Sequence, residues 1–237
     1  PLLQQQWRDL LHAIAHELRS PLSRINFAVA ELRTCGSEEE TLELEGVIDN
    51  ATNDINQMVK EVLQYSRLEL QVNRVHYEKI ELASLISSCC KRVGQLYPNI
   101  RFEASGSDKP LDADRKQLER ALVNLIRNAA RFGSEKVKVS WSNQSDHTLI
   151  AVDDDGPGVA PGKRQRIFEP FTRLDPSRSR DSGGVGLGLA IVKAVADSHR
   201  GFVRVVDSEL GGARFELGVP YPDKVLAEQE AAENKGS

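Results

Sequence analysis

The stretch IAHELRSPLSRI, Ile14 to Ile25, has apolar residues at helical spacing, yet it holds His16, Glu17 and Pro21 close together. Followed in both directions, the apolar positions run Leu3, Trp7, Leu11, Ile14, Leu18, Leu22, Ile25, Val29 and Leu32, in steps of three and four. That is the seam of a long amphipathic helix of coiled-coil type. After the break TCGSEE, Leu44, Ile48, Ala51, Ile55, Met58, Val62 and Tyr65 repeat the pattern. Two helices joined by a short loop predict an antiparallel hairpin. A lone hairpin encloses no core. Pairing two of them into a four-helix bundle solves this and predicts a homodimer, the alternative being a hairpin packed on the chain's own second domain.

On the first helix, His16 lies two residues from both Ile14 and Leu18, about 200° around from each, so it points away from the seam. His12, Arg19 and Ser20 share its outward face. Pro21 lacks the N–H that the carbonyl of Glu17 needs, at a cost of about 3 kcal/mol in a helix interior. A bend is therefore expected beside His16, where a helix gives up regularity to present a reactive side chain. A neutral imidazole can attack phosphorus through one ring nitrogen while a carboxylate holds the proton of the other, and Glu17 is placed for that task.

The 237 residues, 40% of them hydrophobic, leave room for one large domain or two small ones. Lys plus Arg number 31 against 35 Asp plus Glu, a net charge of −4, which argues against a nucleic-acid binder with a basic footprint. Cys35, Cys89 and Cys90 form no metal-ligand spacing and fit a reducing compartment. No run of about 18 apolar residues and no signal peptide is present, and the chain opens on Pro1, so a soluble fragment is expected, with room for a membrane anchor upstream.

From about Val72 the composition changes. ELASLISSCCKRVGQL has helical spacing, IRFEAS alternates like a strand, and DRKQLERALVNLIRNAARF opens on a capping signal, Asp114 followed by Gln117. KVKVSWS and TLIAVDD read as paired strands, LGLAIVKAVADSH as a helix stopped by Gly201, and FVRVVDSE with ARFELGVP as a hairpin about Gly211 and Gly212. Strands and helices without strict alternation indicate an α+β sandwich. The expected organisation is 1–70 helical hairpin, 71–77 hinge linker, 78–222 sandwich and 223–237 polar tail.

Three clusters in the sandwich suggest a nucleotide. Asn124 and Asn128 lie four apart on one helix face, where amide oxygens can complete the shell of a Mg2+ already held by phosphates. Alone, that pair reads first as a polar helix face. DDDGPGV places carboxylates before a tight Gly156–Gly158 turn. GGVGLGLAIV sets Gly184, Gly186 and Gly188 ahead of a helix, whose exposed N–H groups favour phosphate, but neither a P-loop lysine nor a dinucleotide fingerprint accompanies them. Between the last two clusters, KRQRIFEPFTRLDPSRSRDS is long and basic, as a lid over an anion would be.

In order, HELRSPL, NLIRNAARF, DDGPG, FEPF and GVGLGL closely resemble the H, N, G1, F and G2 boxes of the sensor histidine kinases, specifically the OmpR-linked group. The resemblance runs from about Leu10 to Pro220. It implies a multidomain fold: an all-α dimerisation and histidine-phosphotransfer hairpin, followed by an α+β ATP-binding sandwich of Bergerat type. By the same likeness His16 is the phosphoacceptor and Glu17 its proton acceptor. Asn128 is the main Mg2+ ligand with Asn124 in support, and Arg131 and Phe132 contact phosphate and pack the nucleotide. Asp154 recognises the adenine amino group, with Gly156 and Gly158 shaping its turn. Gly184, Val185, Gly186, Leu187, Gly188 and Leu189 form the glycine motif that hinges the lid and meets the phosphates, while Phe168 and Phe171 anchor the lid. Arg178 and Arg180 are both candidates for the γ-phosphate by charge and lid position, and the motif does not select between them. Gly212 belongs to the last glycine turn, with a structural role.

The activity so implied is autophosphorylation of His16 from ATP and Mg2+, then transfer to an aspartate on an OmpR-like response-regulator receiver domain, with the sandwich swinging on the linker. No nucleic-acid partner is expected. Ser20 stands where this group usually has Thr or Asn to orient water for response-regulator phosphatase action; it keeps a hydroxyl. One rival reading is an ATP hydrolase of the related gyrase, MutL and chaperone superfamily, which carries a water-activating Glu where this chain has Asn124, and an amide is no general base. Another is a degenerate kinase serving as a dimeric scaffold, against which every box but the Ser20 position is intact.

Overall fold

The computed structural model describes residues 2–70, 75–172 and 186–221. The described residues divide into two units, one of 2–64 with 170–172 and 186–187, the other of 65–70, 75–169 and 188–221.

In the first unit, α1 (Leu2–Leu32) continues as helix through Pro21. The proline has no N–H to donate to the carbonyl one turn earlier. α2 (Glu38–Leu70) opens on Ser37, whose hydroxyl accepts the Glu40 N–H at 3.2 Å, and Glu38, Glu39 and Glu40 occupy its positively charged first turn. Arg24 on α1 pairs with Asp54 on α2 at 2.5 Å, and Ala28, Ala51 and Met58 are buried. The seam of α1 divides into two rows. Leu18, Ile25 and Leu32 are half-buried, whereas Leu11, Leu22 and Val29 remain exposed.

The second unit runs β1 (Glu78–Ile80), α3 (Leu82–Gly94), β2 (Arg101–Gly106), β3 (Leu111–Ala113), α4 (Arg115–Phe132), β4 (Lys136–Asn143) and β5 (His147–Asp154). Two 3₁₀ turns follow, Pro161–Lys163 and Arg166–Phe168, then α5 (Gly188–Ser198), β6 (Phe202–Asp207) and β7 (Ala213–Pro220). Five strands form one sheet in the order β2-β4-β5-β7-β6, with β2 parallel to β4 and the other pairs antiparallel; β1 and β3 pair separately.

Alternation along the strands separates two faces. Val137, Val139, Ile150, Val152, Phe215 and Leu217 turn into a core shared with α3, α4 and α5. The opposite face carries a ladder of charge: Arg214 bridges Asp153 at 3.1 Å and Glu216 at 3.0 Å, and Arg204 meets Glu216 at 2.6 Å. These groups sit directly across from one another in register, Asp153 opposite Arg214 and Arg204 opposite Glu216, where unlike charges stabilise a sheet. The expected hairpin followed by an α/β sandwich is the observed architecture.

α5 ends at Ser198, and Gly201 takes part in the stop through the space it leaves rather than through its own backbone angle. Arg200, not Gly201, takes the left-handed conformation, at φ 56°. The Arg200 N–H donates to Asp197 O at 2.9 Å and the Gly201 N–H to Ala196 O at 2.8 Å, the two bonds of a Schellman cap. Glycine is required at 201 for space, because a Cβ there would overlap the carbonyl oxygen of Gly218 on β7. Gly201→Ala is therefore expected to lower stability by about 1–3 kcal/mol, read as a shift in the denaturant midpoint.

Candidate functional site

His16 presents a side chain 78% exposed, with Glu17 beside it and Nδ1 at 3.8 Å from Glu17 Oε1. That distance exceeds a hydrogen bond but places the carboxylate against one ring nitrogen rather than the other. His12, Arg19 and Ser20 are exposed on the same helix, and Pro21, one turn on, is buried.

In the second unit, α4 supplies Asn124, Asn128, Arg131 and Phe132. Its register is set at the N-terminus, where Asp114 caps the helix by accepting the Gln117 N–H at 3.0 Å. Asn124 Nδ2 donates to Arg120 O at 2.9 Å, and Asn124 Oδ1 accepts from Arg127 at 3.4 Å. A Cβ on Gly188 would lie 3.0 Å from that same Oδ1, so any larger first residue of α5 would crowd the asparagine amide. Asn128 is half-buried on the next turn of α4, and the exposed Phe132 ring has the Arg131 guanidinium 5.2 Å from its centroid.

The end of β5 and the loop after it bring together Asp154, Gly156, Gly158 and Gly212. Asp154 is buried, and its Oδ1 accepts the N–H groups of Gly156 at 2.9 Å and Ala213 at 3.0 Å. Burial raises its carboxyl above the usual range, opposed by those two amides. A Cβ on Gly156 would strike the Phe132 carbonyl, and one on Gly212 would strike Asp154 Oδ1. Gly158 takes φ 70°. Phe132, Asp154 and the glycine turn thus share one corner of the sandwich.

Phe168 packs edge-on against the core Phe215, 6.4 Å between centroids. Phe171 donates its N–H to Gly186 O at 3.0 Å, and both residues have positive φ, 60° and 78°. Leu187 is buried and Leu189 half-buried. Arg178, Arg180, Gly184 and Val185 lie outside the described residues, as do 71–74 of the expected linker and 223–237 of the expected tail.

Two residues with structural weight in the second unit were not singled out from sequence. Asp155 accepts backbone N–H groups from Ser134 at 2.7 Å, Glu135 at 3.0 Å and Lys136 at 3.0 Å, and so joins the loop after α4 to the loop after β5. Burial acts to raise its carboxyl, but the amides of Ser134, Lys136 and Glu135 outweigh it and hold the group below the usual range. His199, buried at the end of α5, donates or accepts at both ring nitrogens. An Asp in a run of three and a His before Arg-Gly carry no local pattern that separates them from surface residues.

Residues 6–71 match the family model of the His Kinase A (phospho-acceptor) domain, and 113–223 match that of the Histidine kinase-, DNA gyrase B-, and HSP90-like ATPase. The chain is 39% identical over 222 residues to the sensor histidine kinase CpxA of Escherichia coli, covering 89% of this chain and 46% of that protein. It therefore spans about half the length of that curated relative. Among solved structures, the mycobacterial sensor histidine kinase MprB is 30% identical, with TM-score 0.54 over 61% of this chain and 97% of that one. The histidine kinase ThkA, solved in complex with the response regulator TrrA, shares the fold at 24% identity, with TM-score 0.73 over 91% of this chain and 62% of that one. A phospho-acceptor hairpin leading into an ATPase sandwich, each matched by its own family model and the two together aligned with CpxA, makes this chain a member of the sensor histidine kinases of two-component systems.

Proposed function

We propose that the chain phosphorylates itself on His16 from ATP and passes the phosphoryl group to an aspartate of a response-regulator receiver domain. The observation that carries this is His16 itself: an exposed imidazole on a helix, with Glu17 at 3.8 Å from Nδ1. Drawn into hydrogen-bonding distance, the carboxylate would hold the ring proton on Nδ1 and leave the Nε2 lone pair for attack on the γ-phosphorus. The P–N bond forms as the bond to the ADP oxygen breaks, and Glu17 takes the Nδ1 proton. Positioning and charge neutralisation supply most of the rate in such transfers.

The proposed roles in the sandwich follow the same logic. Asp154 accepts from the adenine amino group, Gly156, Gly158 and Phe132 shape the purine's surroundings, and Arg131 meets phosphate. Asn128, with Asn124, would hold Mg2+. Their neutral amide oxygens suit a cation whose remaining ligands are phosphates and water, and Asn124 Oδ1 lies beside Gly188, where phosphates would approach the start of α5. Bound there, Mg2+ supplies charge neutralisation for the transferred phosphoryl group. Gly184, Val185, Gly186, Leu187, Gly188 and Leu189, with Phe168 and Phe171, make the lid and its hinges, and Arg178 or Arg180 reaches the γ-phosphate.

The proposed organisation is 1–70 dimerisation hairpin, 71–77 hinge, 78–222 catalytic domain and 223–237 tail. The exposed row Leu11, Leu22 and Val29 supports a homodimer through the hairpin, because a second copy would bury it. The response-regulator partner is supported by ThkA, solved with one. The exposed Ser20 hydroxyl supports phosphatase action on that partner. Among the described residues no helix is long and apolar enough to cross a membrane. We place the chain on the cytoplasmic side of a protein anchored in the bacterial inner membrane.

The test is incubation with γ-labelled ATP and Mg2+. Label that enters the protein and is acid-labile and base-stable is the expected result. Steady phosphate release without label supports a hydrolase instead, and ATP neither bound nor used supports a scaffold.

A further inference from the structure

Away from the asparagines and glycines, the start of α4 and the end of α5 are joined by a closed ring of buried hydrogen bonds. The Asp114 N–H donates to His199 Nε2 at 3.0 Å. His199 Nδ1 lies 2.9 Å from Val195 O and 3.2 Å from Ser198 Oγ, so the proton resides on Nδ1 and the ring is neutral. The Ser198 hydroxyl is 2.7 Å from Gln117 Oε1, and Gln117 Nε2 returns to Asp114 Oδ2 at 3.3 Å. Asp114, Gln117, Ser198 and His199 are all buried, His199 to 1% exposure.

Besides its bonds within α4 and α5, this ring reaches the last residues of the expected linker through two contacts. The His76 N–H donates to Asp114 Oδ2 at 3.3 Å, and the Tyr77 ring stands edge-on to His199, 5.9 Å between centroids. The helices that carry the nucleotide residues are therefore tied at their far ends to the segment that enters the domain from the hairpin. A capping box would have Gln117 return to the Asp114 N–H. Here Gln117 turns to the carboxylate instead, and the freed N–H goes to His199, so the cap of α4 depends on an imidazole that can titrate.

We propose that this ring is a proton-sensitive latch: neutral His199 holds the linker end on the α4–α5 pair, and protonation at Nε2 releases it. A proton on Nε2 would face the Asp114 N–H, donor against donor. One of them must move, and Asp114 also holds the N–H groups of Gln117 and His76. The ionisable groups facing the ring are Asp114 from the start of α4 and Tyr77 from the linker, with Arg200 next in the chain and set toward Tyr77. Burial lowers the His199 pKa, and the bond to Val195 and the Asp114 charge only partly offset this. Since the folded state binds the proton more weakly than the unfolded chain, the latch is complete above the ordinary histidine value of 6.5 and weakens as pH falls toward the lower folded one. This inference does not depend on the phosphotransfer reading.

The test follows backbone amide exchange of His76 and Asp114 by NMR in the nucleotide-free full chain, normalised for intrinsic rates, alongside the His199 ring nitrogen shifts. As His199 takes up its proton, protection of both amides is expected to fall about tenfold, while the amides of β4 and β5 keep theirs. His199→Gln, which places an amide oxygen near Nε2 and does not titrate, is expected to remove this pH dependence. Protection that stays constant through the His199 titration overturns the proposal, as does loss shared equally with β4 and β5. Unchanged pH dependence in His199→Gln overturns it too. Should that variant not fold, the wild-type titration decides alone.

Discussion

His16→Gln is expected to abolish labelling from γ-labelled ATP, to background, while nucleotide affinity and stability stay unchanged. The side chain is 78% exposed, and glutamine is a good helix former, so the substitution removes the proposed nucleophile and little else. An amide nitrogen has no available lone pair for attack on phosphorus, whereas the neutral imidazole offers Nε2 once Glu17 holds the proton on Nδ1. Glu17→Gln is expected to leave a slow reaction, down by about 10²-fold or more, because an amide can orient the ring but not take its proton. His12 is the internal control. It is exposed on the same face, one turn earlier, but has no carboxylate next to it in sequence. Label retained in His16→Gln and lost in His12→Gln would reverse the assignment.

Asp154→Asn is expected to weaken binding of a non-hydrolysable ATP analogue by about 2–4 kcal/mol, measured by calorimetry, without loss of stability. The asparagine oxygen can keep the two amide bonds from Gly156 and Ala213 that Asp154 Oδ1 now accepts. Its NH2 then replaces the second carboxylate oxygen, and a donor meets the adenine amino group. Stability is expected to hold because the buried carboxylate is a liability at neutral pH. Burial raises its folded pKa above the ordinary carboxyl value of 3.8, so its favourable contribution is present below that value and lost as pH rises through the higher folded one. The same donor suits the O6 acceptor of guanine, so the preference for ATP over GTP is expected to shrink. Unchanged affinity and preference would remove Asp154 from the adenine site.

Much of this fold is legible along the chain because its signals are periodic. The seam from Leu11 to Leu32 and its repeat from Leu44 to Val62 are helical, and KVKVSWS alternates; each pattern needs only local geometry. The cap at Asp114 was legible for the same reason, since Gln117 is three residues away. Gly201 reads from sequence as the residue that stops α5, because glycine is common at a helix end. Its actual constraint is the carbonyl of Gly218 on β7, and Arg200 bears the positive φ. No local pattern reports a strand that arrives later in the chain.

The candidate site divides along the same line. The spacing of the short motifs is a property of the sequence, and by itself it determined two domains, an imidazole facing away from its helix seam, a candidate nucleotide corner and a family. Only the tertiary structure decided that Asp154 is buried against Ala213 and Gly212, that Gly188 comes up to Asn124, and that Asp155 holds the loop after α4. It also decided that His199, 85 residues from Asp114, completes that residue's cap. Hydrogen bonds and excluded volume act between atoms that folding brings together, and a one-dimensional pattern records only the neighbours that the chain itself supplies.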